Sequence, residues 1–252
     1  MIETAALARF GLLLVRPGVL VMTAPVFGGT FVPAPVRIGL GVLLAIVVAP
    51  VVPVPERGSD VGLVVMVMAE TAVGLAIAVG LRVLIAGAEL AGYLAGFQIG
   101  LSYAAVVDPQ SGVRNNVIST LYASLALVIF FGINGHHALI RALVESYALI
   151  PVGAAGFGGS IGASVAGLIG MVFVIGVRLA APVVTALLLV ELALGLIARA
   201  APSLNLMVVG APVRLITGFL ALAVGVQAIP GVVAGGTNPV FDAAARLLRA
   251  LG

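Results

Sequence analysis

The stretch Ala88-Glu89-Leu90-Ala91-Gly92-Tyr93-Leu94-Ala95-Gly96-Phe97-Gln98-Ile99-Gly100-Leu101-Ser102-Tyr103-Ala104 decides the fold. Ala88, Gly92, Gly96, Gly100 and Ala104 recur every four residues, with mostly apolar side chains between them. That spacing aligns them along one face of a helix. Two overlapping GxxxG patterns lie in the stripe, and in a bilayer such a face lets two helix backbones approach closely. The partner across it is either another helix of the same chain or a helix of a second subunit. The segment reads as a helix from about Glu89 to Val107.

Composition extends the membrane reading to the whole chain. Of 252 residues, 62% are hydrophobic and 8% charged. A soluble domain is about half apolar and about a quarter charged. There is too little polar surface here to cover the apolar mass, and the bilayer is the solvent that fits. All twelve basic residues are arginine, nine acids leave a net charge of +3, and the charges are scattered. No basic stripe points to nucleic acid. Cysteine is absent, so disulfides are excluded and zinc would rest on His and carboxylates. The start, Met1-Ile2-Glu3-Thr4, lacks the basic region of a signal peptide. The apolar run from Ala5, which carries Arg9 and Arg16, therefore reads as a retained membrane segment.

Apolar stretches alternate with short Pro, Gly and polar breaks. The first runs from about Leu7 to Phe31, interrupted at Arg16-Pro17 and Pro25, and the second from Val36 to Val52. The third spans Val61 to about Ala88, the fourth about Glu89 to Val107, and the fifth Val117 to Ile133. A mixed, Gly-rich region covers Asn134 to Ser160. The sixth stretch runs from Ile161 to Ala198, where Pro182 is positioned to break it in two. The seventh runs from Leu206 to Ile229, and a short amphipathic tail helix from Phe241 to Leu251. A span takes about 20 apolar helical residues. The expectation is an all-α, polytopic membrane protein with six or seven Pro/Gly-broken helices, forming one membrane domain over residues 1–252. No stretch has the alternation of an outer-membrane barrel, and arginines fall too evenly on both sides to set topology.

Glu70, Arg82, Arg178, Glu191 and Arg214 sit within or near these helices. A charge near the bilayer centre costs about 2.5–3.5 kcal/mol on insertion scales. Pro25, Pro182 and Pro212 free backbone groups that cannot face lipid. Either the chain is largely buried against protein or beside water, or some of these charges snorkel at helix ends; both readings stand for Arg82 and Arg214.

Catalytic chemistry is not evident. His136 and His137 are adjacent and diverge by about 100° on a helix, which suits neither a metal nor acid–base work. No HExxH occurs, and a chain without Lys has no P-loop lysine. Gly158-Gly159-Ser160 is Gly-rich, but no histidine is assigned to the serine. The carboxylates are dispersed. The chain reads as scaffold and passage, not as an enzyme, and needs no cofactor.

The run Gly96 to Ala104, followed by Val107-Asp108-Pro109-Gln110-Ser111-Gly112, resembles the FliR family of flagellar biosynthetic proteins and its injectisome counterparts. Further similar segments follow in order: Asn134-Gly135-His136-His137, Ile150-Pro151-Val152-Gly153, Ala200-Ala201-Pro202-Ser203-Leu204-Asn205 and Val209-Gly210-Ala211-Pro212. The resemblance covers nearly the whole chain. It implies a bacterial inner-membrane subunit at the flagellar basal body, with FliP-like, FliQ-like and FlhB-like partners. It also implies broken helical hairpins in a multi-subunit assembly, and passage of unfolded flagellar proteins. Asp108, Pro109, Gln110, Ser111, Gly112, Arg114, Asn115 and Asn116 would then help plug the closed pore. From the residues alone they form a plain turn, since Asp-Pro and Ser-Gly are common turn formers. An injectisome gate subunit and a small-molecule secondary transporter are the alternatives, although no internal repeat supports the latter.

Overall fold

The computed structural model describes residues 2–28, 32–50, 52–53, 60–101, 117–156, 158, 160–201, 203 and 206–252. Its elements are α1 (Ile2–Thr23), α2 (Pro25–Gly28), α3 (Ala34–Val48), α4 (Asp60–Ile99), α5 (Val117–Gly132), α6 (Gly135–Leu149), α7 (Ile161–Ala200), α8 (Leu206–Gly225), a 3-10 turn (Val226–Ala228) and α9 (Ile229–Leu251). The described residues include no strand. The chain is a helical membrane protein.

Among the described residues, three continuous helical stretches are long and apolar enough to cross a membrane: Gly62–Ile99, Ile161–Ala200 and Val208–Leu251. A fourth appears if α5 and α6, bent by 71° at their junction, count as one broken span. The expected six or seven apolar helices are not confirmed as that many spans: one join lowers the number, and α3 and α5 have only 15 and 16 residues. The third and fourth stretches form the single helix α4. Ala86-Gly87-Ala88-Glu89-Leu90 contains neither a proline nor a turn signal, so nothing stops the helix there. Pro17 and Pro182 lie inside continuous helices. Each removes one N–H and so one hydrogen bond from the ladder, but neither divides its helix. The mixed region contains α6, and the tail from Phe241 is the end of α9 rather than a separate short helix.

α4 ends at Ile99, short of the expected Val107. Gly100 has φ of +98°, the Gly100 amide donates to the Phe97 carbonyl (3.1 Å), and the Leu101 amide donates to the Gly96 carbonyl (3.0 Å). These two bonds make a Schellman cap with glycine in the left-handed position. Gly100 therefore closes the helix instead of extending its small face.

The fold divides into two compact units. One comprises Met1–Val83, Phe130–Gly170 and Thr237–Gly252, the other Leu84–Ile129 and Met171–Gly236. In the first, Leu12, Leu13, Leu20 and Val21 of α1 are buried, as are Val73, Ile77 and Leu81 of α4 and Leu139, Leu143 and Tyr147 of α6. The α4 and α6 sets recur every four residues and the α1 pairs recur after eight, so each set marks one face of its helix. α1 meets α3 where a Cβ on Gly41 would lie 3.4 Å from the Gly18 Cα. The Gly156 amide donates to the Leu251 carbonyl at 2.7 Å, tying the chain's end to the segment after α6. In the second unit, small residues admit neighbours. A Cβ on Gly87 would come within 2.7 Å of Ile175, one on Gly176 within 2.7 Å of Leu90, and one on Gly218 within 2.5 Å of Ile99.

Candidate functional site: a buried arginine–glutamate node

Arg16 and Glu70, both with no solvent exposure, form the largest concentration of buried polar contacts among the described residues. Arg16 Nε donates to Glu70 Oε2 at 2.8 Å, and Nη2 donates to Glu70 Oε1 at 2.8 Å. This is the two-pronged guanidinium–carboxylate geometry. Arg16 Nη1 also donates to Ser146 Oγ (2.9 Å), and Nη2 to the Ile150 carbonyl (3.1 Å). Four of the five guanidinium donors are thus accounted for. Its central carbon lies 4.1 Å from the centre of the Tyr147 ring, which adds an attraction of cation to π-face. On the acid side, Glu70 Oε1 accepts a third bond from the Gly153 amide at 3.0 Å.

Local sequence explains how each part arrives. Gly74 lies one turn after Glu70 on α4, and a Cβ there would stand 2.9 Å from the Arg16 carbonyl and 3.0 Å from the Val19 Cβ. The missing side chain is what lets α1 and α4 come close enough for the pair. Pro17 deprives the Leu13 carbonyl of its normal partner four residues on. The Tyr147 hydroxyl donates to that carbonyl in a long bond of 3.4 Å. Ser146 turns its hydroxyl proton to the Leu143 carbonyl (2.6 Å), leaving the oxygen free to accept from Arg16. Gly153 has φ of +76°, and a Cβ on it would lie 2.6 Å from Met66 Cγ. Glycine therefore serves both the turn and its seat on α4. A desolvated charge pair is tolerable only when its remaining hydrogen-bonding groups are satisfied, and here α1, α4, α6 and the Ile150–Gly153 turn all contribute. The node joins elements: its buried groups are engaged with one another.

The sequence marks Glu70 as an embedded charge, and places Arg16 in the first apolar run and at its Arg16-Pro17 break without pairing the two. The available signal was an unmatched carboxylate in one apolar run and an unmatched guanidinium in another. Glu191 and Arg214 pair in the second unit: Arg214 Nη2 lies 3.6 Å from Glu191 Oε1, with side chains 47% and 38% exposed, respectively. Arg82 and Arg178 are exposed on α4 and α7.

Of the small stripe, Ala88, Gly92 and Gly96 are buried on α4. A Cβ on Gly92 would lie 2.5 Å from the Ile118 carbonyl oxygen and from Ser119 Cα. At that point the neighbour across the stripe is α5 of the same chain. Ser119 Oγ fastens the contact by donating to the Glu89 carbonyl at 2.7 Å. Gly100 is the cap, and Ala104 lies outside the described residues. So do Asp108, Pro109, Gln110, Ser111, Gly112, Arg114, Asn115 and Asn116. Asn134, at φ 59°, and Gly135, where a Cβ would collide with the Phe130 ring, form the elbow between α5 and α6.

Comparison with known proteins agrees with this architecture. Residues 7–238 match the family model described as bacterial export proteins, family 1. The flagellar biosynthetic protein FliR of Pectobacterium carotovorum subsp. carotovorum is 33% identical over 238 residues, covering 94% of this chain and 91% of that protein. FliR of Bacillus subtilis (strain 168) is 33% identical over 247 residues, 96% of this chain and 95% of its own. FliR of Escherichia coli (strain K12) is 32% identical over 215 residues, 83% of this chain and 81% of its own. With the model matched over most of its length and relatives of this identity spanning it nearly end to end, the chain belongs to the bacterial export proteins of family 1.

Proposed function

We propose that the chain is a non-catalytic subunit of the flagellar type III protein export gate, embedded in the bacterial inner membrane at the basal body. There it works with FliP-like, FliQ-like and FlhB-like subunits to pass unfolded flagellar proteins. The observation that carries this reading is the near-full-length likeness to proteins named flagellar biosynthetic protein FliR. The helices support it: most residues in the apolar window of each candidate span are not buried within the chain itself, as suits a subunit clad by lipid and neighbours. The relatives' names favour a flagellar role over an injectisome. A strain lacking the gene should have no flagella while its other secretion continues, and the intact gene should restore them. Normal flagella in the deletion strain would refute the reading.

Within this function, Asp108 to Asn116 is proposed as the plug of the closed gate. Pro109 biases Asp108 away from helix, and Arg114, Asn115 and Asn116 supply groups for several contacts of about 0.5–1.5 kcal/mol each. Such a latch holds against ions yet yields to an exported chain. Removing Gln110 to Arg114 should leave assembly intact and raise ion conductance of the membrane. Normal assembly without added leakage would reduce the segment to a plain turn.

A further inference from the structure

Tyr122 on α5 is fully buried, and its hydroxyl has no hydrogen-bond partner among the described residues. Buried tyrosine hydroxyls are ordinarily hydrogen-bonded. A Cβ on Gly225 would lie 3.4 Å from that hydroxyl oxygen, 3.5 Å from Val183 Cγ2 and 3.8 Å from Pro182 Cβ. The hydroxyl therefore points to where the proline turn of α7 meets the end of α8, all within the second unit. Both helices have carbonyls to spare there. Pro182 has no N–H, so the Arg178 carbonyl, four residues earlier, lacks its usual donor. α8 ends at Gly225 and steps into the 3-10 turn, where the Ile229 amide reaches back three residues to the Val226 carbonyl. That change of step leaves carbonyls of the last turn of α8 without a donor four residues on.

The hydroxyl is thus a donor beside several acceptors, with none in direct reach. A water molecule closes such a gap, since it accepts on one side and donates two protons on the other. Inside a membrane protein, ordered water is one of the ways in which a proline's freed backbone is satisfied, and buried waters make about three hydrogen bonds. In the first unit the same pairing of tyrosine with helical proline needs no intermediary. There Tyr147 directly reaches the Leu13 carbonyl, four residues before Pro17. We infer that the second unit holds a buried structural water at Tyr122, accepting from the tyrosine hydroxyl and donating to the Arg178 carbonyl and to a carbonyl of the last turn of α8. The site is a polar, exchangeable joint among α5, α7 and α8, set in the apolar packing of Leu179, Val183 and Leu222.

A bridging water changes net stability little, because its bonds are offset by the cost of holding it. Contact with water is therefore the quantity to measure. X-ray hydroxyl-radical footprinting of the full chain in its native membranes, read by mass spectrometry, oxidises a buried ring where a bound water generates the radical beside it. Phe130, on the same helix and equally buried, is the dry reference. Tyr122 should be oxidised about tenfold faster than Phe130, the contrast between a ring that touches an ordered water and one that does not. Equal rates at the two rings, whether low or high, overturn the inference. Pro182→Ala returns an N–H to the Arg178 carbonyl and so removes one of the water's anchors. The variant regains a regular helix, so its level in membranes should hold while oxidation at Tyr122 falls to that of Phe130. Tyr122→Phe should bring position 122 to the same low rate. Undiminished oxidation in either variant would mean that these groups do not hold the water, and the site as assigned would be wrong.

Discussion

Two ion pairs of the same chemistry sit in opposite surroundings. Arg16 and Glu70 are sealed off and joined by two bonds of 2.8 Å, with Ser146, Ile150 and Gly153 completing the set. Arg214 and Glu191 are 47% and 38% exposed and only touch, at 3.6 Å. Each unit also buries a tyrosine near a helical proline. Tyr147 gives its hydroxyl proton to the Leu13 carbonyl that Pro17 leaves open. The Tyr122 hydroxyl is buried near Pro182 and Gly225 without a partner among the described residues. The Arg16–Glu70 pair and Tyr147 are served from within their own unit, whereas the Glu191–Arg214 pair and the Tyr122 hydroxyl are not.

The largest test of this contrast is to break the first pair. Arg16→Leu or Glu70→Leu strands a buried charge and should cost about 3–5 kcal/mol, seen as loss of protease-resistant protein from membranes and of motility. The double variant Arg16→Met with Glu70→Met should recover much of the level, because no lone charge remains. If either single variant accumulates normally, the node does not hold its unit together. Next comes the close approach within the second unit. Gly92→Ala should cost about 1–3 kcal/mol through overpacking, because its Cβ would meet the backbone at Ile118 and Ser119. Gly195→Ala, with open space around it, should leave the chain's level unchanged. Equal behaviour of the two would deny that α4 and α5 touch through Gly92.

The tyrosines give a finer comparison. Tyr147→Phe should lose about 1 kcal/mol in resistance to proteolysis, and Tyr122→Phe nothing, or a small gain. The reverse order would mean that Tyr122, not Tyr147, carries the needed bond. The smallest effect is expected for Arg214→Leu in the chain by itself. A loose, half-exposed pair contributes about 0–1 kcal/mol, so protease resistance without partners should hardly move. A large loss there would make the pair an internal brace like the first.

Much of the fold could be read from the residues because hydropathy reports solvent directly. The apolar runs became helices, and α5 (Val117–Gly132) falls within one residue of its expected end. Joins were harder. An uninterrupted α4 and a helix broken near Ala88 have the same hydropathy, and only the absence of a stop signal separates them. Gly100 misled because glycine serves two purposes, a smooth helix face and a left-handed cap, and a repeat of four residues does not say which. α6 was hidden in the mixed region because His136, His137, Arg141 and Glu145, off its buried face, lower the hydropathy of the whole segment. The Arg16–Glu70 node was invisible for another reason: its partners stand 54 residues apart, and pairing over that distance leaves no period to detect. The similar segment Ile150-Pro151-Val152-Gly153 gains its physical sense only beside the node, where Ile150 serves Arg16 and Gly153 serves Glu70.

Helix length has one more consequence. α4 and α7 are 40 residues each, about 60 Å at the usual rise, against about 30 Å of hydrocarbon. To stay wholly in oil, either helix would have to lean about 60° from the membrane normal, beyond the observed range of about 0–40°. At ordinary tilts, about a third to a half of each rod stands clear of the acyl chains. Leucines and valines continue along both helices, so the part beyond the lipid needs a covering of protein. A bilayer of fixed thickness can dress only one storey of these helices; the other has to be dressed by protein, beginning with the chain's own helices.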